Sequence, residues 1–445
     1  MKRAIVVVLG DLGHSPRIIN QALSIANLPN YKVDLVGYKD SKLPIKILEK
    51  ENININYLSQ IQPLPPNLPA YLYLLYAPFK ALFLFFSLLS CLLQLPTSDF
   101  ILIQNPPAIP TLIVVQLVCF IKQSQLIIDW HNFGYSILSL KLGISHPIVK
   151  FAYFYEKLFA KWAFIHITVT EAMASELKNE WKVSGKIIVV HDKSAEEFQP
   201  MELSQIHEFM LQLENTQSEF QLLKKQLYID DEKETSLITE KNQEVKIEYR
   251  KNRVKLIVSS TSWTPDEDFS ILLKAIEIYN TTILSNSNIN PTKLAIIITG
   301  KGPEKENYEL KIKQLNDQLT YVKIITTWLP IAFYPKLLAC ADLGISLHLS
   351  SSGLDLPMKI VDMFGTGLPV CAMDFMCLSE LVQHNKNGLV FSSAEELALN
   401  LESLFLKKEN RSIVNIEELK EGALEFGKVK WEQHWNDKLK EVFMD

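Results

Sequence analysis

Asp355, Lys359 and Asp362 stand at i, i+4 and i+7 in the stretch SSSGLDLPMKIVDMFGTGLP, where a polar loop runs into a helical pattern. On one helix that spacing puts all three on the same face. A helix N-terminus offers unpaired N–H groups and the positive end of the dipole, so it suits a phosphorylated ligand, and a lysine beside it adds charge. The chemistry expected is binding of a diphosphate. Lys359 with Pro357 at the helix start is the first candidate, and Lys301 in the turn TGKGP, from Thr299 to Pro303, is the second. The competing reading is an exposed face on which Lys359 merely pairs with Asp355 or Asp362.

Two further segments carry groups that could do chemistry. DWHNFGYS puts Asp129, His131 and Asn132 just after the apolar strand pattern Leu126 to Ile128, where open α/β sheets gather ligand groups. An imidazole can take a proton near neutrality and a nearby carboxylate can orient it. His131 is therefore a candidate general base, the alternative being a histidine satisfied by backbone. Trp130, Phe133 and Tyr135 suit a sugar face or a core equally. GDLGHSPR follows a buried strand and precedes a helix, so the backbone at Gly10 and Gly13 can approach a ligand, while His14 and Arg17 could meet a diphosphate. It lacks the third glycine of a dinucleotide fingerprint. A tight turn without a ligand is the plain alternative.

The run Asp266-Glu267-Asp268 in SSTSWTPDEDFSILLKAI is an acid triplet of the metal-binding kind, but local chemistry explains it more simply. Thr264 is a good N-cap, Pro265 suits the first helical position and Glu267 completes a capping box. The five cysteines, Cys91, Cys119, Cys340, Cys371 and Cys377, are scattered through mostly apolar runs and fit a reducing compartment better than a disulfide framework. No metal site is expected from them.

The elements that must position these groups alternate. Strand patterns at Ala4 to Leu9, Lys32 to Gly37, Phe100 to Gln104, Leu126 to Asp129, His166 to Thr170 and Lys186 to His191 are separated by helical or loop segments, as in a parallel sheet. A second set follows at Val254 to Ser259, Leu294 to Thr299, Val322 to Thr326, Leu343 to Leu349 and Pro369 to Ala372, with a helix over Asp266 to Tyr279. The fold class expected is α/β, two Rossmann-like domains facing a cleft. The domains would be 1–200 and 254–428, joined by a polar, Gln-rich insertion or linker over 201–253 without a persistent apolar stripe. An amphipathic helix within 429–445 would cross back to the first domain.

At 445 residues and 48% hydrophobic content the chain can bury two cores, and a formal net charge of −5 gives no electrostatic case for nucleic acid. The N-terminal MKRAIVVVLGDLG reads as a buried strand and glycine turn instead of a secretory signal, because the apolar run is short. Within 71–95 only Lys80 is charged, and Pro78 to Leu95 as a helix would be about 27 Å long. Strand patterns on both sides belong to one sheet, so a re-entrant or interface-lying helix is expected, with a buried core helix as the alternative.

The block Ser350 to Pro369 resembles the end of the donor motif of two-Rossmann-domain nucleotide-sugar glycosyltransferases, Asp362 matching the second of its two glutamates and Leu354 standing where the first would be. As a whole it is similar to that of the chitobiosyldiphosphodolichol β-mannosyltransferase family. The likeness recurs in GDLGHSPR, ILIQNPP (Ile101 to Pro107), DWHNFGYS and SSTSWTPDEDFSILLKAI, so it spans both halves. Where retaining relatives of the fold carry Arg and Lys to grip the diphosphate, the chain has Thr261 and Glu267.

The resemblance implies the GT-B fold and inverting transfer of mannose from GDP-mannose to dolichyl-diphosphate-linked GlcNAc2, forming a β-1,4 linkage on the cytosolic face of the endoplasmic reticulum membrane. It implies His131 as base. It carries donor binding onto Ser260, Thr261, Ser262, Trp263, Gly300, Lys301, Gly302, Ser352, Gly353, Leu354, Asp355, Leu356, Met358, Lys359 and Asp362. Acceptor binding falls on Gly10, Asp11, Gly13, His14, Ser15 and Arg17. No tightly bound cofactor is implied, the need for a divalent cation is left open, and partners would be the membrane surface and other enzymes of the lipid-linked oligosaccharide pathway. The alternatives are a retaining lipid-linked glycosyltransferase and a silent subunit that binds nucleotide sugar or lipid.

Overall fold

The computed structural model describes residues 1–61, 70–228, 235–242, 244, 246–286, 291–406 and 414–444. They form two compact units, one of Met1–Asp192 with Trp431–Asp445 and one of Lys193–Lys430.

The first unit is built on β1 (Lys2–Asp11), β2 (Tyr31–Tyr38), β3 (Ile53–Tyr57), β4 (Phe100–Asn105), β5 (Gln125–Trp130), β6 (Ile165–Thr168) and β7 (Lys186–Val189). All are parallel, in the order β3-β2-β1-β4-β5-β6-β7. Ala4 to Leu9 are buried without a break, as a strand covered by helices on both faces requires. The order reverses between β1 and β4, and the carboxyl ends of strands beside such a reversal are where open α/β sheets bind ligands. Helix Trp431–Met444 closes this unit's core, burying Trp435, Leu439 and Phe443 against helix Pro16–Ala26 and the sheet.

The second unit holds a small antiparallel pair, β8 (Thr239–Lys241) and β9 (Ile247–Tyr249), and a parallel sheet of β10 (Lys255–Thr261), β11 (Leu294–Gly300), β12 (Val322–Thr327), β13 (Leu343–Ser346), β14 (Val370–Met373) and β15 (Gly388–Phe391). Its order is β12-β11-β10-β13-β14-β15, so the reversal falls between β10 and β13.

Two expectations change at this level, and a third is located. The stretch expected to lack an apolar stripe folds into helices Leu203–Thr216 and Ser218–Leu227, whose Ile206, Phe209, Met210 and Leu213 recur at helical spacing and pack into the second unit's core. The glutamines and charges of the outer face had masked that stripe. Residues 229–234, 243 and 245 of the stretch lie outside those described. The helix expected from Asp266 begins at Phe269 with Asp268 as its cap, accepting from Ser270 N at 2.9 Å. Glu267 precedes that cap, where a capping box would need it to follow, and is available for other work. Finally, helix Ala70–Gln94 buries Leu88 and Leu92 while exposing Phe79, Leu82 and Phe86. The side chains of 70–75 and 77 lie outside those described, and among the described residues no helix is long and apolar enough to cross a membrane.

Candidate active site

In the first unit the end of β5 carries the groups best disposed for proton transfer. Asp129 is fully buried and His131 Nε2 lies 3.2 Å from its Oδ2, while the His131 side chain keeps 23% of its surface exposed. The extended backbone persists far enough to bring the two together, since His131 N donates to Asn105 O at 2.9 Å in continuation of the β4 pairing. With Nε2 turned to the carboxylate, Nδ1 is the nitrogen left to accept a proton.

Asp129 itself is held by a buried network. Arg17 donates to it from Nε at 3.1 and 3.0 Å and from Nη2 at 2.9 Å, and Gln21 Nε2 donates at 3.0 Å. Burial alone would raise the carboxyl's pKa; the Arg17 charge and His131 outweigh it and hold the group well below the usual carboxylate range. Asp129 is thus an anion at neutral pH with its lone pairs engaged, suited to orienting His131 and unsuited to taking a proton there. Burial would likewise lower Arg17, but Asp129 and Asp192 raise it. Arg17 also donates to Val190 O at 3.0 Å and to Asp192 Oδ1 at 2.7 Å, and only 6% of it is exposed. The structure therefore corrects its expected role as an acceptor diphosphate contact: it is an internal strut tying helix Pro16–Ala26 to β5 and β7.

The rest of GDLGHSPR lies at the same edge of the sheet. Asp11 accepts from Gly13 N, from Asp40 N and Ser41 N at 3.1 Å each, from Ser41 Oγ, and bonds His14 Nδ1 at 2.5 Å. Although burial pushes up, the bonds from Ser41 and His14 hold the Asp11 carboxyl well below its usual range. It organises the turn after β2. A Cβ on Gly13 would come within 2.7 Å of Lys42 O, so glycine is needed there for close packing of two loops. His14 is exposed, while Ser15 is half-buried and donates from Oγ to Asp11 O at 2.8 Å.

Trp130 and Phe133 are wholly buried, ringed by His166, Trp181 and Tyr135, so of their two readings the core one holds. Beside them an apolar cavity of about 390 Å³ is lined by Pro106, Pro107, Ile109, Tyr135, Ile137 and Leu138, with Lys141 also on its wall and Glu156 in it. Glu156 accepts from Asn105 Nδ2 at 3.0 Å and from Gly134 N and Tyr135 N at 2.9 Å each, fixing the turn that follows His131. Burial raises its pKa against those bonds.

In the second unit the reversal between β10 and β13 gathers the donor candidates. Gly300 and Gly302 sit where a Cβ would be 1.8 Å from Thr261 O and 1.7 Å from Ser262 O, so the loops after β10 and β11 lie backbone on backbone. Glu267, 3% exposed, accepts from Thr261 Oγ1 at 2.5 Å, from Ser262 N at 3.0 Å and from Lys359 Nζ. Helix Met358–Gly365 has Pro357 as its N-cap, so only Lys359 and Asp362 share it, and Asp355 belongs to the loop before it. There Asp355 accepts from Ser350 Oγ and, at 3.3 Å, from Ser352 Oγ, and Gly353 takes a positive φ of 73° that closes the loop.

His348, unnoticed in the sequence although it follows an apolar strand as His131 does, sits among these groups. Its Nδ1 is 3.6 Å from Asp266 Oδ2 and its Nε2 4.0 Å from Asp355 Oδ2. Burial and then Lys359 lower its pKa despite the nearby carboxylates, so it stands neutral as a hydrogen-bonding group. The acid triplet, read as the first turn of a helix, diverges: Asp266 faces His348, Glu267 faces Lys359, and only Asp268 caps the helix.

Not every expected donor residue reaches this site. Trp263, at φ 48°, is buried between Phe269 and Tyr308 and Leu354 is 7% exposed, so neither side chain is presented to a ligand. Lys301 lies over the exposed Trp328 ring at 4.1 Å. Ser260 Oγ accepts from Tyr334 OH at 2.9 Å, and Ser262 and Met358 are exposed.

Comparison with known proteins now bears on these two sites. Residues 253–406, which contain the whole second cluster, match the family described as Glycosyl transferases group 1. A chitobiosyldiphosphodolichol beta-mannosyltransferase from Dictyostelium discoideum is 42% identical over 93% of the chain and 86% of its own length. The protein named UDP-glycosyltransferase TURAN from Arabidopsis thaliana is 41% identical over 98% of the chain and 96% of its own length. Among solved structures, Anabaena Alr3699/HepE in complex with UDP superposes with a TM-score of 0.60 at 17% identity, covering all of both chains, which bears on the fold alone.

Proposed function

Because the chain belongs to the chitobiosyldiphosphodolichol β-mannosyltransferase family and is a GT-B glycosyltransferase, we propose that it moves mannose from GDP-mannose to the 4-hydroxyl of GlcNAc2-diphosphodolichol with inversion. The observation that carries the chemistry is the Asp129–His131 pair. In one in-line displacement His131 Nδ1 takes the acceptor hydroxyl proton while the oxygen bonds the anomeric carbon and the carbon–oxygen bond to GDP breaks. Asp129 holds the imidazole in the required tautomer and stabilises the imidazolium.

In the second unit the departing diphosphate meets Lys359, which turns from Glu267, together with the amides opening helix Met358–Gly365. Neutral His348 and Asp362 serve the sugar hydroxyls and Gly300 and Gly302 let backbone approach. A tail of isoprene units suits the apolar cavity at Pro106 and Ile137 in the first unit. Such an acceptor sets the reaction at a membrane surface, and we assign it to the cytosolic face of the endoplasmic reticulum.

The test is turnover by the purified chain with a lipid-linked chitobiose and either GDP-mannose or UDP-sugars, the second arm following the nucleotide in one relative's name. A β-mannosidase-sensitive product made only from GDP-mannose is expected. An α-linked product would replace inversion with retention, and nucleotide-sugar binding without product would make the chain a silent subunit.

A further inference from the structure

Helices Thr111–Lys122, Gly134–Leu142 and Pro147–Ala160 belong to one layer of the first unit, the first packing on helix Ala70–Gln94 and the last on both others. A surface helix of a globular protein turns its apolar side inward and its polar side to water. These do not. Helix Thr111–Lys122 buries Leu112, Val115 and Val118, yet its outer positions are Ile113, Leu117, Phe120 and Ile121, with Phe120 85% exposed. Helix Pro147–Ala160 buries Val149, Ala152 and Tyr155 and exposes Ile148, Phe151 and Phe154, and Trp162 follows at 61% exposure. The described part of helix Ala70–Gln94 continues the pattern with Phe79, Leu82 and Phe86.

The charges on this layer are of one sign. From Ala70 to Thr170 the sequence has three acidic residues: Asp129 and Glu156 are buried, and Asp99 is exposed but lies off these helices, in the loop before β4, where it accepts from Arg3 N at 2.7 Å. Lys80, Lys141, Lys150 and Lys161 are exposed. Exposed aromatic and aliphatic side chains interleaved with lysines are the composition of a face that lies in a membrane interface and is drawn to anionic headgroups.

We propose that the outer faces of helices Thr111–Lys122 and Pro147–Ala160 are a docking surface for an anionic lipid bilayer, so that membrane attachment does not rest on helix Ala70–Gln94 alone. This deepens the membrane localisation given above but is independent of the acceptor. The opposite charge of the lipid and the breadth of the apolar face commit the occupant to a bilayer; a second copy of the chain would bring like-charged lysines together.

The experiment is flotation of the purified chain with vesicles of phosphatidylcholine alone and with phosphatidylserine added, neither containing a lipid-linked sugar. A failure here therefore leaves the reaction untouched. Binding should be stronger to the phosphatidylserine vesicles and weaken with salt. Lys150→Glu with Lys161→Glu should reduce it by at least about fivefold per lysine, and Phe151→Ser with Phe154→Ser should lower binding to both vesicle types. Thermal unfolding and turnover with a short-chain acceptor in detergent should stay at wild-type values. Equal flotation of the folded variants would overturn the proposal. So would a chain that fails to bind vesicles, or substitutions that convert a dimer to monomer in sedimentation without changing flotation.

Discussion

Replacing Asp129 by Asn keeps the shape of the residue and removes the charge that both Arg17 and His131 face. The loss can be sized from the contacts. Breaking one partner out of a buried ion pair costs roughly 3–5 kcal/mol, because the other charge stays desolvated. Here Arg17 retains Asp192 at 2.7 Å and Val190 O at 3.0 Å, so the lower end applies, about 3 kcal/mol. For a unit of roughly 200 residues that lowers the unfolding temperature by about 6–12 °C. Catalysis should fall separately, by about 10²- to 10⁴-fold, since an amide neither fixes the tautomer nor stabilises the imidazolium. The carboxyl's depressed pKa gives the pH sign: its contribution is present above the unfolded value near 4 and is lost as pH falls toward the folded one. The Asp129→Asn variant should therefore lack the steepest part of the wild-type acid transition. Calorimetry and steady-state turnover read the two effects. A variant that melts with wild type and turns over normally would refute both the strut and the dyad.

His131→Gln and His131→Ala should stay folded and bind GDP normally while turnover drops by about 10²- to 10⁴-fold; a folded alanine variant with near-normal turnover would hand the proton to another group. Lys359→Ala should weaken GDP binding by on the order of 1.5–3 kcal/mol in titration calorimetry, and should also lower stability by leaving Glu267 buried without its cation. The double variant Lys359→Met with Glu267→Gln should recover the stability and not the affinity. His166 is lowered to about 4 by burial and accepts from Trp130 Nε1 at 3.1 Å. Because the folded form resists protonation, its contribution holds above about pH 6.5 and falls by about 3 kcal/mol toward pH 4. His166→Asn should flatten that slope in pH-dependent unfolding.

The strands were legible because residues buried on both faces write near-continuous Val, Ile and Leu runs, as Ala4 to Leu9 and Leu294 to Thr299 do. The loops after them followed from the rule that ligands gather at carboxyl ends, and that rule picks out both His131 and Lys359. What could not be read was which partner answers each charge. Arg17 lies 112 residues from Asp129 and Glu267 lies 92 from Lys359, and no local pattern encodes such meetings. Glu267 suited a capping box by spacing, but its two bonds to Thr261 and Ser262 pull it back to the strand end and leave Asp268 to start the helix. Trp263 sat in a ligand-binding loop by position, yet a positive φ turns its indole into the core.

The helix Trp431–Met444 completes a unit whose other part ended at Asp192, with the whole of Lys193–Lys430 in between. Trp435 Nε1 donates to Gln21 Oε1 at 2.7 Å, and the same Gln21 donates to Asp129. During synthesis every residue of the second unit is therefore joined before Trp435, Leu439 and Phe443 exist to seal the core of the first. The Gln21 contact behind Asp129 is thus completed by helix Trp431–Met444. A nascent chain that stops before Trp431 would carry a formed nucleotide-sugar unit and an unsealed partner whose Gln21 has lost the indole that positions it against Asp129, which gives the cell a species to retain or degrade before any sugar is transferred.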